Sequence, residues 1–299
     1  LTKSANAKAT EPGAKIAQEP LGIVCGAGSF PIAVAEAVQK RGRPVVLLAL
    51  RGFADQAVEQ FPHEWMPFGA FGTSLALARK HGLHDIVTIG SVSRPKLLDF
   101  RLDWTTLKLL PRLARFYRGG DDHLLSGVAS LLNEYGFRLL SVAEVAPELV
   151  VPTGTLGSRK PSVEDKVDIA FGFDLLRALG PFDVGQAVVI STRRVLAVEA
   201  AEGTTGMLTR LAKLRKSGRL KLAERAGVLV KAPKLGQDRR IDLPAIGVET
   251  VTQAVAAGLR GIAVEAGGTI VPDATAMVRA ADAAGLFIVG IDAPGEGKR

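Results

Sequence analysis

Residues 21–50, LGIVCGAGSFPIAVAEAVQKRGRPVVLLAL, decide the fold. The apolar run at 21–25 has the length of a buried strand and ends in Gly26-Ala27-Gly28. Pro31 opens a helical pattern that runs through Arg41, in line with the preference for Pro in a first helical turn. A second apolar run follows at 44–50. Strands alternating with helices imply a largely parallel sheet covered on both faces.

The alternation extends outward. Residues 69–82 read as a helix, 85–90 as a strand and 96–135 as predominantly helical. The second half repeats the scheme, with helices at 163–179, 205–216, 243–257 and 273–284. Strands fall at 186–190, 195–199, 227–231, 261–265 and 285–291. Residues 147–161, PELVVPTGTLGSRKP, are rich in Pro, Gly and small polar residues and read as a linker. The expected architecture is two α/β domains with mostly parallel sheets. They span residues 21–146 and 162–292, the second carrying the charged loop at 231–244, with loose tails at 1–20 and 293–299.

Composition agrees. A chain of 299 residues, 47% hydrophobic and 23% charged, is long enough for about two domains with separate cores. A single Cys excludes an intramolecular disulfide framework and a cysteine-rich zinc site, and suits a reducing compartment. The apolar runs are far shorter than the ~20 residues needed to cross a bilayer, and the first twenty residues have no signal-peptide core. The net charge of +8 is concentrated: residues 94–120 carry +5 and residues 210–240 carry +9, which leaves the rest at −6. Localised positive charge points to an anionic partner. Nucleic acid is disfavoured, because aromatics make up only 5% of the chain and no binding module is recognisable.

Four segments carry candidate chemistry. Gly26-Ala27-Gly28-Ser29-Phe30-Pro31 is a strand-to-helix turn of the kind that cradles phosphate on backbone N–H groups. It is a poor dinucleotide fingerprint: Pro31 stands where a third Gly belongs, and the next strand ends at Arg51 without a ribose-binding acid. Arg51 would suit a 2′-phosphate, which keeps an NADP-dependent oxidoreductase as an alternative. Residues 198–205, VEAAEGTT, leave a strand and enter a helix; Glu199 or Glu202 offers a hard oxygen to Mg²⁺, and Thr204 or Thr205 a helix cap. Residues 231–244, KAPKLGQDRRIDLP, set Lys231, Lys234, Arg239 and Arg240 among Asp238 and Asp242. Such a loop neutralises a diphosphate while an acid holds metal or orients water. Residues 100–117, FRLDWTTLKLLPRLARFY, form a basic amphipathic stretch suited to a lipid chain or an anionic membrane surface, or to ordinary packing, with Pro111 expected to kink or divide it. His81-x-x-His84 before Asp85 reads as structural, Cys25 as a small core residue, and Asp121-Asp122 as a helix start.

Together the motifs at 26–31, 90–95 (GSVSRP), 119–122 (GGDD), 183–186 (DVGQ), 198–204 and 231–247 resemble the LpxI family from about Leu21 to Asp292. That family comprises UDP-2,3-diacylglucosamine pyrophosphatases of lipid A biosynthesis. The resemblance implies hydrolysis of UDP-2,3-diacylglucosamine to UMP and 2,3-diacylglucosamine 1-phosphate (lipid X), with Mg²⁺ or a similar divalent metal. It implies two domains with the site between them and a cytoplasmic enzyme peripheral to the inner membrane of a Gram-negative bacterium, with transient contact to that surface; a homodimer stays open. Asp242 matches the Asp of the family's R-x-D-L-P motif and Glu202 the Glu of E-G-T-D; both are expected to be catalytic, and with Asp238 to hold the metal. Gly26, Gly28, Ser29, Thr204, Lys231, Lys234, Gln237 and Arg240 are the expected substrate-binding residues. Two positions depart from the pattern. Thr205 stands where the family has Asp, so a weakened or inactive UDP-sugar or lipid-X binding homologue is the nearer alternative. Ala143 occupies a site where a family member can carry His.

Overall fold

The computed structural model describes residues 19–92, 101–117, 121–234, 237–241 and 243–292, the side chains at 114, 116, 117 and 121–126 excepted. The LGIVC run forms β1 (Leu21–Cys25), the Pro31 segment forms α1 (Phe30–Lys40), and VVLLAL forms β2 (Val45–Leu50). β3 (His63–Met66), α2 (Phe71–Lys80), β4 (Asp85–Ile89), α3 (Trp104–Tyr117), α4 (Asp121–Glu134), β5 (Arg138–Leu139) and the single turn α5 (Val142–Val145) complete the first half. The strands pair in the order β3-β2-β1-β4-β5, all parallel. Side chains alternate between two cores. Leu21, Ile23, Leu47 and Val87 enter one with α1 and α5, while Leu48, Met66, Ile86 and Leu139 enter the other with α2 and α4. The chain runs outward in opposite directions from β1 and β4, so the carboxyl ends of those two strands mark the topological switch where open α/β sheets bind ligands.

The second half contains β6 (Gly154–Leu156), α6 (Val163–Leu179), β7 (Ala187–Ser191), β8 (Arg194–Val198), α7 (Gly203–Lys216), β9 (Val228–Lys231), α8 (Val248–Ala256), β10 (Gly261–Glu265), α9 (Ala274–Ala284) and β11 (Phe287–Ile291). Its sheet, ordered β6-β11-β10-β9-β7-β8, is mixed rather than mostly parallel: β9, β10 and β11 are parallel, whereas β6 and β7 run against their neighbours. The cause is local. Only Thr192 and Arg193 separate β7 from β8, both with left-handed φ (49° and 58°), and Asp168 accepts both of their N–H groups. Two residues can close a hairpin but cannot make a parallel crossover.

Residues 147–161 are built into the structure. Pro147–Leu149 make a 3-10 turn, Val151 is fully buried in the second core, and β6 pairs with β11. Three short segments knit the halves together. Ile270 bridges both Val150 and Ala245, with hydrogen bonds from Ile246 N–H to Ile270 O (3.0 Å) and from Ile270 N–H to Pro244 O (2.9 Å). Ile270 itself lies in a first-half core beside Leu140 and Val145. This pairing also explains why residues 243–247 are not helical as expected: the Pro244 carbonyl and the Ile246 N–H are committed to Ile270, Pro244 has no N–H to give, and α8 begins only at Val248. Among the described residues no helix is long and apolar enough to cross a membrane.

Candidate functional site at the strand ends

The candidate residues of the second half gather at one sheet edge. β8, β9 and β10 point the same way, and their last residues are followed by the 199–205 turn, the charged loop and Gly267-Gly268 respectively. Cα registers place Lys231 beside Val264 on one side and Ala187 on the other, so Gln186 and Glu265 reach the same edge. Lys231 is 8% exposed, and its ammonium donates to Thr204 Oγ1 (3.1 Å) and to the Ala245 carbonyl (3.0 Å). One cation therefore joins the 199–205 turn to both ends of the loop that follows β9.

The rest of that loop is held from below. Gln237 Oε1 accepts from Gln186 Nε2 (3.0 Å) and from the Lys234 N–H (2.9 Å). Lys234 Nζ pairs with Asp183, which sits in left-handed backbone after α6. Arg239 pairs with the buried Glu265 (2.7 Å). Arg240 chelates both oxygens of Asp238 at 2.9 and 2.7 Å, which lowers the Asp238 pKa and raises that of Arg240. Asp242 lies outside the described residues. Its neighbours face the first half: Ile241 packs against the core containing Val24 and Phe71, and Leu243 against the core on the opposite face of the first sheet, containing Phe30 and Ile32.

At the first sheet, the turns after β1 and β4 touch. Ala27 and Ser91 exchange backbone hydrogen bonds (2.8 and 3.0 Å), and a Cβ on Gly26 would sit 2.6 Å from Ser91 O. The Gly28 N–H donates to Asp55 (2.8 Å), and Ser29 stands at the N-cap of α1 with no side-chain cap bond. Arg51 follows β2 and is exposed.

Two expected metal ligands are otherwise engaged. Glu202, the N-cap residue of α7, pairs with Arg210 (2.7 Å), whose hydrogen bond holds its carboxyl below the usual range. Asp238 has its arginine. Among the described residues no group of three His, Cys, Asp or Glu is placed to hold a metal, so they do not by themselves fit a divalent-ion site. Thr205 is exposed and accepts from Gln253 Nε2 of α8 (3.1 Å), whereas its neighbour Thr204 meets Lys231. His81 pairs with Glu64 and His84 with Glu19, so the two histidines serve separate carboxylates. Asp183 and Gln186 fall in a motif that the sequence singles out, but Glu265 does not. Its only sequence signal is a charge closing an otherwise apolar strand before Gly267-Gly268.

The molecule is thus a two-part α/β protein, with a Gly-rich strand-to-helix turn at the switch point of one sheet and a braced cationic loop at the strand ends of the other. The chain belongs to the LpxI family: the model of the LpxI N-terminal domain matches residues 20–149 and that of the LpxI C-terminal domain residues 152–289. It is 40% identical over 272 residues to the UDP-2,3-diacylglucosamine pyrophosphatase LpxI of Caulobacter vibrioides, covering 91% of this chain and 97% of that one. Among solved structures, a GalE-like L-threonine dehydrogenase from Cupriavidus necator gives a TM-score of 0.28 at 11% identity, covering 82% of this chain and 86% of that one, a likeness too remote to bear on function.

Proposed function

We propose that this chain hydrolyses the diphosphate of UDP-2,3-diacylglucosamine, releasing UMP and lipid X at the cytoplasmic face of an inner membrane. The observation that carries the reading is the junction at Lys231, where a nearly buried ammonium ties the Thr204 turn to the charged loop. Water adds to one phosphorus, the bridging P–O bond breaks, and negative charge grows on the departing phosphate oxygen. Lys231, Lys234 and Arg240 would offset that charge, and cations held in place before reaction stabilise it with little reorganisation. Asp242, matched to the family motif and flanked by residues seated on the first half, takes the role of orienting the attacking water. The Gly26–Ser29 turn supplies backbone donors for the nucleotide or sugar end. Asp242 is also the ligand this loop would offer to Mg²⁺; Glu202 and Asp238 would first have to leave their arginines.

The test is incubation of the purified protein with UDP-2,3-diacylglucosamine, with and without EDTA, following UMP and lipid X together. Stoichiometric release of both is expected, with a loss of about 10²–10⁴-fold in Asp242→Asn. Absence of UMP, or normal turnover in that variant, would overturn the assignment, and indifference to EDTA would remove the metal from it.

A further inference from the structure

Helix α3, with Leu102 just before it, presents a face that no described residue covers. Leu102, Trp104, Leu107 and Leu110 are 45%, 71%, 42% and 39% exposed, a local concentration of the large apolar side chains left uncovered among the described residues. At about 100° per residue, Leu110, Leu107, Pro111, Trp104, Arg115 and Lys108 share an arc of roughly 160°. Thr106 and Leu109 on the opposite side are buried. Lys108 and Arg115 are exposed along one margin of the apolar strip, and Lys108 Nζ lies 5.6 Å from the centre of the Trp104 ring.

The rotation of the helix is locked. Asp103 accepts from Thr106 N–H and Oγ1 (both 2.8 Å) and, with its other oxygen, from Thr73 N–H at the start of α2 (2.7 Å). A Cβ on Gly72 would come within 2.6 Å of Thr105 Oγ1, so α2 and α3 are as close as they can be there. Arg112 makes a two-pronged ion pair with Glu134 of α4. Turning Trp104 and Leu107 inward would break all of these contacts, so their exposure is imposed by the fold.

We infer that this face of α3 docks on an anionic phospholipid surface. Indole and leucine side chains beside a margin of cations match the boundary between acyl chains and acidic headgroups, where apolar burial and charge attraction act together. Charge complementarity selects a bilayer over a second copy of the same face, because copies would set Lys108 and Arg115 against like charges. The inference adds a place of contact to the proposed lipid substrate, and vesicle binding is read without turnover, so either can fail alone.

The full-length protein is sedimented with vesicles of phosphatidylcholine alone and of equal parts phosphatidylcholine and phosphatidylglycerol. Binding is expected only to the second and should weaken with salt. Lys108→Gln/Arg115→Gln should lower partitioning about 30-fold, and Trp104→Ala/Leu107→Ala/Leu110→Ala by tenfold or more. Circular dichroism checks that the variants remain folded. In a Trp65→Phe background, Trp104 emission should shift to the blue on adding anionic vesicles. Equal binding to both vesicle types, wild-type binding by the folded variants, or an unshifted Trp104 would overturn the proposal. So would a dimer in ultracentrifugation that the triple variant abolishes while vesicles bind nothing.

Discussion

Gly26→Ala should weaken the first half of the molecule through a single methyl group. The added Cβ would lie 2.6 Å from Ser91 O and 2.8 Å from the carbonyl carbon and oxygen of Gly90, where ordinary contact begins at 3.4 Å. All three obstacles are backbone atoms, so no side chain can swing away. The turns after β1 and β4 would have to part by roughly 0.6–0.8 Å, stretching the paired hydrogen bonds between Ala27 and Ser91. Overpacking of this kind costs about 1–3 kcal/mol, and weakening the two bonds adds a fraction of the roughly 0.5–1.5 kcal/mol each contributes. A net loss near 2 kcal/mol lowers the unfolding temperature of a domain this size by roughly 6–10 °C. Gly28→Ala is the control: φ is +99° there, but nothing lies within 4 Å, so only the backbone cost of about 1–2 kcal/mol applies. Scanning calorimetry with UMP release below the transition reads both effects. If Gly26→Ala melts within about one degree of the parent, the two turns do not touch as described and the switch point is looser than argued.

Three further outcomes follow from the same contacts. Hydrogen bonds from Arg138 and, against the opposing cost of burial, from Arg43 hold the Asp85 carboxyl below its usual range. A lowered native pKa stabilises above the unfolded value of about 3.9 and is lost as pH falls through the native one. Asp85→Asn should thus cost about 1.5–3 kcal/mol near neutrality in urea unfolding, with the gap closing in acid; a gap constant down to about pH 3 would contradict this. Burial pushes the Cys25 thiol up to about 12, so iodoacetamide should modify it only upon unfolding, and rapid labelling of the native protein would show β1 to be accessible. Thr205 spends its hydroxyl on Gln253, so Thr205→Asp should alter turnover by no more than roughly twofold; a much larger gain would mean that position 205 reaches the reacting diphosphate.

What the sequence conveys well is periodicity. The strand at 21–25 is a continuous apolar run, and those at 228–231 and 261–265 are apolar up to the closing Lys231 and Glu265, as strands covered on both faces largely must be. β3 escapes because HEWM is an edge strand with three half-covered residues and no apolar run. The hairpin turn is illegible for another reason: Thr192 and Arg193 hold left-handed backbone without Gly or Asn, and the stabilising carboxylate, Asp168, is more than twenty residues away. The site divides in the same way. The loop at 231–241 declares itself by charge density, but apart from Asp238, which holds Arg240 within the loop, the partners that fix its cations lie near the ends of other strands. Gln186, Asp183 and Glu265 are recruited by sheet register, which no local spacing encodes.

The two halves contribute different things to the charged loop, and this explains its composition. Lys234 and Arg239 are oriented by Asp183 and Glu265 elsewhere in the second half, and Arg240 by Asp238 within the loop itself. Its location is set by the first half, since Ile241, Leu243 and Ala245 pack on first-sheet cores. A loop of the same charge without those apolar residues would be a solvated arm, with every cation paying side-chain entropy upon meeting a ligand. Here the cations already have carboxylate partners, so under the proposed function an arriving diphosphate would exchange one anion for another at a guanidinium or ammonium already held in place. The Arg240 and Asp238 side chains are 41% and 18% exposed, so such an exchange would need no unfolding of the loop. Glu265, at 7% side-chain exposure, is more enclosed than Asp238 at 18%, so under the proposed function Arg240 rather than Arg239 would be the arginine to turn to the ligand. Ile241, Leu243 and Ala245 therefore seat on the first half a loop whose Lys234 and Arg239 are tied to the second, so the same segment is held from both sides.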